Sequence, residues 1–425
     1  MDIAVLVLFI GLLIFAAHFF AWIFSFTNVP NVLLLMLVGI VLGPVTGLLR
    51  PDFFGEAGSL FSTIVLAVIL FEGGIGLRWD MLVSSWKSSL GLTLLNFFAV
   101  TFGIALLMWQ LSDLGFLLSL MLGVIVAGPS SVVALPILDK LRVLPRVRTI
   151  VFLEAVITDV LSILLTFALL RALEAGSFSV VGVLFNVVGS FAISAFVGAG
   201  TALMWSVLLN GVRRMKNSVF STPAFVFILF GLMELAGGSG PVAAFAFGVM
   251  MGNIGFFKLY LERSHMFLHR ILQPMALSEI ERSFFEEVAF LLETFFFVFV
   301  GLSLQFGDRA LVIWGVLLVL YMFLVRIPVV RFTIPASIPV SDTAMLSVLT
   351  PIGLAAVVLA GLPAQYGILG GSFIQEVVYV MIFVSVIATS LFLFLVSKTP
   401  VGKIYRILVR SSRAVANYSP SFVKK

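Results

Sequence analysis

An aspartate, Asp159, lies in the middle of a long apolar stretch, within residues 151–162. A charged side chain at the centre of a membrane-spanning helix costs at least about 2.5–3.5 kcal/mol, so it needs a function or a partner. A carboxylate at that depth can hold a proton or a desolvated alkali ion but gains little from holding both. Such exclusive occupancy is the physical basis for exchanging a monovalent cation, Na⁺ or K⁺, for a proton. The alternative is that Asp159 has a structural role and bonds to backbone groups that a neighbouring helix break leaves unpaired.

Hydroxyl groups near Asp159 are candidate ligands for the same ion. Thr158 is its neighbour in sequence, and Ser162 follows about one helical turn later on the same face. Ser130 and Ser131 interrupt the preceding apolar stretch, and their hydroxyl or carbonyl oxygens suit a hard cation, although they could equally do no more than bond backbone. The pattern predicts a monovalent-cation and proton site at Asp159, with no cofactor.

Glu154 and Arg326 are two further charges predicted at membrane depth. Glu154 precedes Asp159 by five residues, which turns it partly away from the face of Asp159. Arg326 is the only basic residue predicted so deep, and arginine stays protonated. We expect the two to form a fixed structural ion pair. Asp159 is then the only group that titrates at the centre, which favours one-for-one, electroneutral exchange.

The remaining intramembrane polar groups are assigned to the edges of the membrane. Glu72 ends the third apolar stretch near the predicted cytoplasmic face. It either attracts cations into a cytoplasmic funnel or merely lies at the interface. Glu293 and Glu234 are expected at the interfaces, without a role at the ion site, and His18 is expected to make a polar contact between helices.

The composition is that of a polytopic membrane protein. Of 425 residues, 61% are hydrophobic and 11% are charged, with a mean hydropathy of +1.23. A soluble domain carries roughly twice that charged fraction. The lack of cysteine excludes disulfides and thiol catalysis, and three scattered histidines disfavour a zinc site. No phosphate-binding, dinucleotide or zinc-protease motif occurs, so neither an enzyme nor a nucleic-acid partner is expected.

Polar and Gly/Pro punctuation divides the chain into thirteen candidate membrane spans. They cover residues 3–26, 29–46, 57–77, 88–111, 115–138, 149–172, 178–210, 219–237, 240–257, 284–305, 309–332, 342–362 and 371–397. With alternate loops on alternate sides, 21 of the 25 basic residues fall on one side and three on the other, with Arg326 inside a span. Because cytoplasmic loops are rich in Lys and Arg, the N-terminus is predicted outside the plasma or inner membrane and the C-terminus in the cytoplasm. The first span has the length of a full crossing and no basic leader, so we expect it to be retained.

Two spans are interrupted near their middle, the fifth at Gly128 and Pro129 and the twelfth at Pro351 and Gly353. Proline removes a backbone donor and glycine loosens a helix, so both spans should unwind where they line a cavity. The breaks lie seven spans apart, so two six-helix repeats joined by the seventh span would be inverted. The predicted fold is therefore all-α, with about 13 transmembrane helices, two inverted six-helix repeats and two discontinuous helices that mark a binding site. Proline and glycine are also common in ordinary membrane helices.

Two segments are predicted at the cytoplasmic surface. Residues 257–275 are amphipathic with basic residues and should lie along the inner interface. The tail, residues 398–425, is basic with aromatic and aliphatic residues interleaved, which suits an anionic lipid surface.

Several motifs occur in a familiar order: Leu-Phe-Glu-Gly-Gly at 70–74, the broken fifth span, Leu-Glu-Ala-Val-Ile-Thr-Asp at 153–159, Phe-Val-Phe-Val-Gly-Leu at 297–302, and Arg326. Together they resemble the NhaP/NHE branch of the cation:proton antiporter superfamily. The resemblance implies an NhaA/NhaP-like antiporter domain over residues 1–397. It also implies that Asp159 binds the ion and that Glu154 braces Arg326.

The same resemblance implies a homodimer that works by an elevator-like movement. The moving core would comprise residues 88–172 and 309–397, and the dimer or scaffold region residues 1–87 and 219–305. A linker helix at 178–210 would join them. Monovalent cations, protons and membrane lipids are the implied partners.

Three positions depart from the pattern of that family. Its usual Asn-Asp is Thr158-Asp159 here, and its Thr-Asp-Pro at the fifth-span break is Ala127-Gly128-Pro129. The serine that often follows the brace glutamate is Ala155. The depleted oxygen set leaves K⁺ beside Na⁺ as a candidate. It also keeps open transport of another cation or solute, or a channel or sensor on the same scaffold. An intramembrane protease is disfavoured because no Ser/His or paired carboxylate pattern is suitably placed.

Overall fold

The computed structural model describes residues 3–27, 29–49, 55–77, 79–141, 143–174, 180–214, 218–256 and 275–409, and all regular structure in these ranges is helical. The sixteen α-helices of these ranges are α1 Ile3–Phe26, α2 Asn31–Ile40, α3 Gly55–Gly76, α4 Trp79–Leu111, α5 Phe116–Val126, α6 Ser131–Leu141, α7 Pro145–Glu174, α8 Val180–Val212, α9 Ser221–Leu235, α10 Gly240–Gly252, α11 Glu279–Ser303, α12 Arg309–Thr333, α13 Val340–Leu346, α14 Leu354–Gln365, α15 Gly371–Lys398 and α16 Val401–Val409. A π-helical turn, Val41–Val45, extends α2 through Pro44, and a short 3₁₀ turn, Ser218–Phe220, precedes α9.

Every predicted span is occupied by one helix or by a pair of consecutive helices. Within the described ranges, eight helical stretches are long and apolar enough to cross a membrane, and four shorter apolar helices accompany them. The all-α fold class is therefore confirmed, whereas the count of thirteen crossings stays a prediction. The amphipathic segment predicted at 257–275 lies almost wholly outside the described residues, as does the tail beyond residue 409.

Helix α4 begins nine residues before the span predicted from residue 88, because its first turn is capped by a distant side chain. The side-chain oxygen of Asn253 accepts a hydrogen bond from the Trp79 N–H at 2.7 Å. Its amide nitrogen donates to the Leu77 carbonyl, also at 2.7 Å. One asparagine at the end of α10 thus closes the corner between α3 and α4. A hydropathy profile cannot predict this extension, because the helix begins before the apolar stretch does.

Glycines permit very close approach of the helices that surround the site. A Cβ on Gly39 of α2 would lie 2.9 Å from the Cα of Gly301 on α11. A Cβ on Gly74 of α3 would lie 3.0 Å from the Cα of Gly248 on α10. Since lipid provides no hydrophobic force that drives helices together, such backbone contact supplies much of the packing energy. These two crossings fix α3 and α11, which carry Glu72 and Glu293, against their neighbours.

The apolar interior divides into two large clusters. The larger one takes side chains from α4 to α7 and from α12 to α15, together with α1, α2, part of α3 and the second half of α11. The smaller one joins α3, α8, α9, α10 and the first half of α11. The predicted core helices thus share one hydrophobic interior, but the larger cluster also includes predicted scaffold helices. The division into a moving core and a scaffold stays a prediction.

Candidate ion-binding site

Asp159 stands midway along α7 and faces a cavity of about 380 Å³. Its side chain is half-buried. Within the described part of the chain, the Asp159 carboxylate makes no hydrogen bond and no ion pair. In such surroundings an ionised carboxylate is stabilised by binding either a proton or a cation. The cavity therefore presents this group to whatever small ion enters it.

The structure brings Glu154 and Arg326 together in the apolar interior. Both side chains are fully buried. The guanidinium donates through both terminal nitrogens to both carboxylate oxygens, with Arg326 Nη2 at 2.7 Å from Glu154 Oε2. Arg326 Nε also donates to the Leu346 carbonyl, at 3.3 Å, where α13 ends. A two-pronged pair of this kind satisfies most of the polar atoms of both groups, so neither charge is left without a partner in the apolar interior.

The two predicted helix breaks are present, and they meet each other. Residues 127–130 separate α5 from α6, and residues 347–353 separate α13 from α14. The Ser130 N–H, freed by the first break, donates to the Pro351 carbonyl of the second break at 2.7 Å. The two interrupted spans are thus joined by their own backbone where neither is helical, which satisfies polar groups that lipid could not.

Side chains of intact helices satisfy further backbone groups at the breaks. The Asn96 amide donates to the Ala127 carbonyl at 3.3 Å, and the Ile352 N–H donates to the Ser385 hydroxyl oxygen at 3.0 Å. Asn96 Oδ1 and Thr350 Oγ1 are buried and make no hydrogen bond with the described residues.

Two glycines leave room for this crossing. A Cβ on Gly353 would lie 2.6 Å from the Cβ of Ser130, and a Cβ on Gly128 would collide with the Thr158 side chain. Gly128 stands where the resembling family has an aspartate, and Thr158 stands where it has an asparagine. The two departures therefore touch each other in space. With Thr158 in this place, a carboxylate at position 128 would not fit without movement.

The predicted hydroxyl ligands fall into two groups. Ser131 lines the cavity together with Asp159. Thr158 donates back to the Glu154 and Ala155 carbonyls, both at 2.9 Å, and Ser162 donates to the Val124 carbonyl at 2.7 Å. Ser130 is buried at the crossing of the breaks. Thr158 and Ser162 therefore hold backbone in place with their hydroxyls, and neither they nor Ser130 line the cavity.

Glu72 of α3 and Glu293 of α11 line the same cavity as Asp159. Neither carboxylate is paired with a basic side chain of the described residues. Sequence reasoning assigned Glu293 to the interface, and the structure places it in the cavity wall instead. The sequence did contain a signal for this position. Glu293 lies within a predicted span, and a carboxylate inside the membrane costs free energy unless it has a function or a partner. Glu234 lines no part of this cavity, and its Oε1 accepts from the Gly240 N–H at 2.7 Å.

The mouth of the cavity carries charges that are more exposed. Glu286, Asp139 and Arg148 are exposed residues of its lining. Arg148 pairs with Asp139 through Nε and Oδ1 at 2.8 Å, so this cation is already neutralised. The other charges of the lining are carboxylates, which makes the cavity attractive to cations. His18 lies elsewhere, on α1, with its Nε2 3.4 Å from Glu287 of α11, so it joins two helices as expected.

A sequence model of the family described as "Sodium/hydrogen exchanger, transmembrane" matches residues 13–398, which include both breaks, Asp159 and the buried ion pair. The chain belongs to this sodium/hydrogen exchanger family. Membership confirms the resemblance drawn from the motifs and the prediction of a multi-pass integral membrane protein of the secondary transporter class rather than an enzyme.

Similar proteins agree with this placement. Sodium/hydrogen exchanger 1 of Dictyostelium discoideum is 26% identical over 306 residues, which are 68% of this chain and 43% of that protein. The chain thus matches less than half the length of this relative. Two structures of the sodium proton antiporter MjNhaP1 from Methanocaldococcus jannaschii, one of them at pH 8, superpose with TM-scores of 0.72 and 0.70. They are 19% and 18% identical and cover 96% and 99% of this chain and all of their own, so the NhaP-like fold is confirmed.

Removal of one partner of the buried pair should cost far more stability than removal of both. Glu154→Leu or Arg326→Met leaves an uncompensated charge in the membrane, and we expect each to destabilise by about 3–5 kcal/mol. The double variant should recover most of that loss, because no charge remains unpaired. The thermal unfolding midpoint of the detergent-solubilised protein measures this, with the exposed Glu279→Gln as control. If the two single losses simply add in the double variant, the pair is not the brace described here.

Proposed function

We propose that this chain is a secondary active antiporter that exchanges a monovalent cation, Na⁺ or K⁺, for H⁺ at Asp159. The observation that carries the proposal is the Asp159 carboxylate, which faces a cavity midway along α7 and has no partner among the described residues. Its place in a sodium/hydrogen exchanger family supports the same reaction. The name of the solved antiporter supports sodium as one candidate ion.

Antiport follows from competition for one carboxylate. Protonation of Asp159 removes the charge that holds a cation, and a bound cation disfavours the proton. Either occupant neutralises the carboxylate, and only a neutral site crosses the low-dielectric barrier at low cost. The empty, ionised site crosses the barrier only at high cost. Each passage must therefore carry a proton or a cation, which makes exchange obligatory and prevents a leak.

Electroneutral, one-for-one exchange is part of the proposal. Glu154 is neutralised permanently by Arg326 in the interior. Glu72 and Glu293 belong to α3 and α11, which are assigned to the stationary scaffold. Among the described residues of the cavity lining, Asp159 is then the one unpaired charge that belongs to the predicted core. One proton or one monovalent cation per passage balances it.

The cavity supports a weakly selective cation site. Asp159 and Ser131 supply oxygens from predicted core helices, and Glu72 and Glu293 supply carboxylates from the predicted scaffold helices α3 and α11. Carboxylate oxygens and hydroxyls bind alkali ions without a strong preference of geometry. A carboxylate at position 128 is missing, and Gly128 is packed against Thr158. We therefore retain K⁺ beside Na⁺.

Movement of the core past the scaffold, in a homodimer, completes the proposed mechanism. Lys140, at the end of α6, donates to the Thr27 carbonyl just beyond α1. Its ammonium nitrogen also lies 3.7 Å from the centroid of the Phe24 ring. This contact ties a core helix to a scaffold helix in the state described, whose cavity reaches the exposed Asp139 and Arg148. An elevator movement would have to break it.

Neutralising Asp159 should abolish exchange. Asp159→Asn keeps the size of the side chain but cannot release a proton or hold a cation by charge, so we expect cation-dependent proton flux to fall to the level of empty vesicles. Proteoliposomes loaded with a pH-sensitive dye, with Na⁺, K⁺ and Li⁺ added in turn, measure this flux. Asp308→Asn is a matched control, because Asp308 caps α12 and asparagine caps equally well. Exchange at the wild-type rate by Asp159→Asn would end the proposal.

Glu293→Gln should weaken cation binding more than turnover. One carboxylate charge at about 4 Å in water-like surroundings contributes about 1 kcal/mol, so KM for the cation should rise roughly fivefold while kcat is nearly kept. Glu287→Gln, on the same helix but outside the cavity lining, should leave KM unchanged. Initial rates over a range of cation concentrations give both constants. An unchanged KM would remove Glu293 from the site.

Lys140→Met should shift the protein away from the state described, because the stem remains while the charged hydrogen bond is lost. A charged hydrogen bond contributes about 1.5–3 kcal/mol, so the ratio of the two populations should change roughly ten- to hundredfold. The chain has no natural cysteine, so Leu135→Cys in the cavity wall reports access. We expect slower labelling by a membrane-impermeant maleimide from the cytoplasmic side. Arg146→Met, an exposed control, should not slow the labelling. Equal labelling rates for both variants would show that the Lys140 contact does not stabilise the state described.

A further inference from the structure

Helix α16 lies at the membrane surface because of where the chain places it. It begins at Val401, three residues after α15 ends at Lys398, and α15 is long and apolar enough to span the membrane. A nine-residue helix that follows a spanning helix so closely cannot leave the region of the headgroups. The sequence predicted a lipid-facing tail here, but it did not predict what the tail would be attached to.

One face of α16 packs on the protein. Gly402 and Val409 are buried and Tyr405 is half-buried, a spacing that places the three residues on one side of the helix. This face contacts α12, α13 and α15. The Leu408 carbonyl near the end of α16 accepts a hydrogen bond from Arg331 Nη1 at 3.3 Å. Helix α16 is therefore attached to three of the helices assigned to the moving core.

The opposite face is apolar and uncovered within the described residues. Ile404 is 60% exposed, Ile407 is 72% exposed and Leu408 is 43% exposed. Two basic side chains on the same helix, Lys403 and Arg406, are also exposed. Large aliphatic side chains flanked by cations match the boundary between anionic headgroups and acyl chains, where each part of the face finds its preferred surroundings.

We propose that α16 binds an anionic lipid surface and that this binding controls the movement of the core. Ile404 and Ile407 enter the acyl boundary, and Lys403 and Arg406 contact lipid phosphates. The coupling runs through α13, which α16 contacts and whose last residue, Leu346, is held by Arg326. A lipid rather than a protein is the occupant, because the face is short, carries positive charge and follows a spanning helix directly.

The position of the face is tested without any assumption about transport. In the full-length protein, which has no other cysteine, Ile407→Cys is labelled with an environment-sensitive fluorophore and reconstituted in vesicles. Lipids brominated near the top of the acyl chain should quench the probe strongly, and aqueous iodide should quench it weakly. Strong quenching by iodide with none by lipid overturns the proposal and marks the face as one for a protein partner.

The control of the core is tested by exchange in vesicles of neutral lipid and of neutral lipid with about 30% anionic lipid. For the wild type we expect a rate several-fold higher with anionic lipid. Lys403→Gln with Arg406→Gln should reduce that ratio to about one. Arg214→Gln with Arg282→Gln, which removes two exposed charges from outside the predicted core, should keep the wild-type ratio. A ratio unchanged by the α16 substitutions, or changed equally by the control pair, overturns the coupling.

This second test rests on the exchange proposed above, and the first does not. If the probe lies in lipid but no vesicle shows cation-dependent proton flux, the proposed function fails and lipid binding by α16 stands. If flux is normal and the probe is in water, the lipid proposal alone fails.

Discussion

The buried pair between Glu154 and Arg326 is the constraint that organises the centre of this protein. Two ions without access to water demand satisfaction of nearly every polar atom, and only a few arrangements of the surrounding helices provide it. Here the pair joins α7 to α12, and the third contact of the guanidinium reaches Leu346 at the end of α13. The pair thus holds two continuous helices and one interrupted span in fixed relative positions. The contact at Leu346 adds to the hydrogen bonds that Ser130 and Ser385 make with the unwound segment after α13.

With those helices fixed, the two breaks can exchange a backbone hydrogen bond, and the paired glutamate is removed from the chemistry of the cavity. Asp159, five residues later on the same helix, is left without a partner beside open space. One helix therefore carries both a permanently neutralised carboxylate and an available one. The difference between them is their surroundings, since the side chains have the same charge.

The depth of the charges and the positions of the breaks could be predicted because each depends on local properties. Gly128, Pro129, Pro351 and Gly353 disrupt a helix wherever they stand, and Asp159 is far from either end of its apolar stretch. The role of the hydroxyls as ion ligands stays a prediction. Helical spacing placed Thr158 near Asp159, but a threonine in a helix can donate to its own preceding turn, as this one does.

The sequence by itself determined an all-helical membrane protein, its helix breaks, its family and its central carboxylate, because apolar length, Gly/Pro chemistry and the cost of buried charge act locally. The tertiary structure alone decided which carboxylates share the cavity. Glu293 and Asp159 are far apart in sequence, and their meeting depends on how α11 and α7 pack. That packing follows from glycine contacts and from one buried ion pair, which are interactions between helices that no single segment encodes.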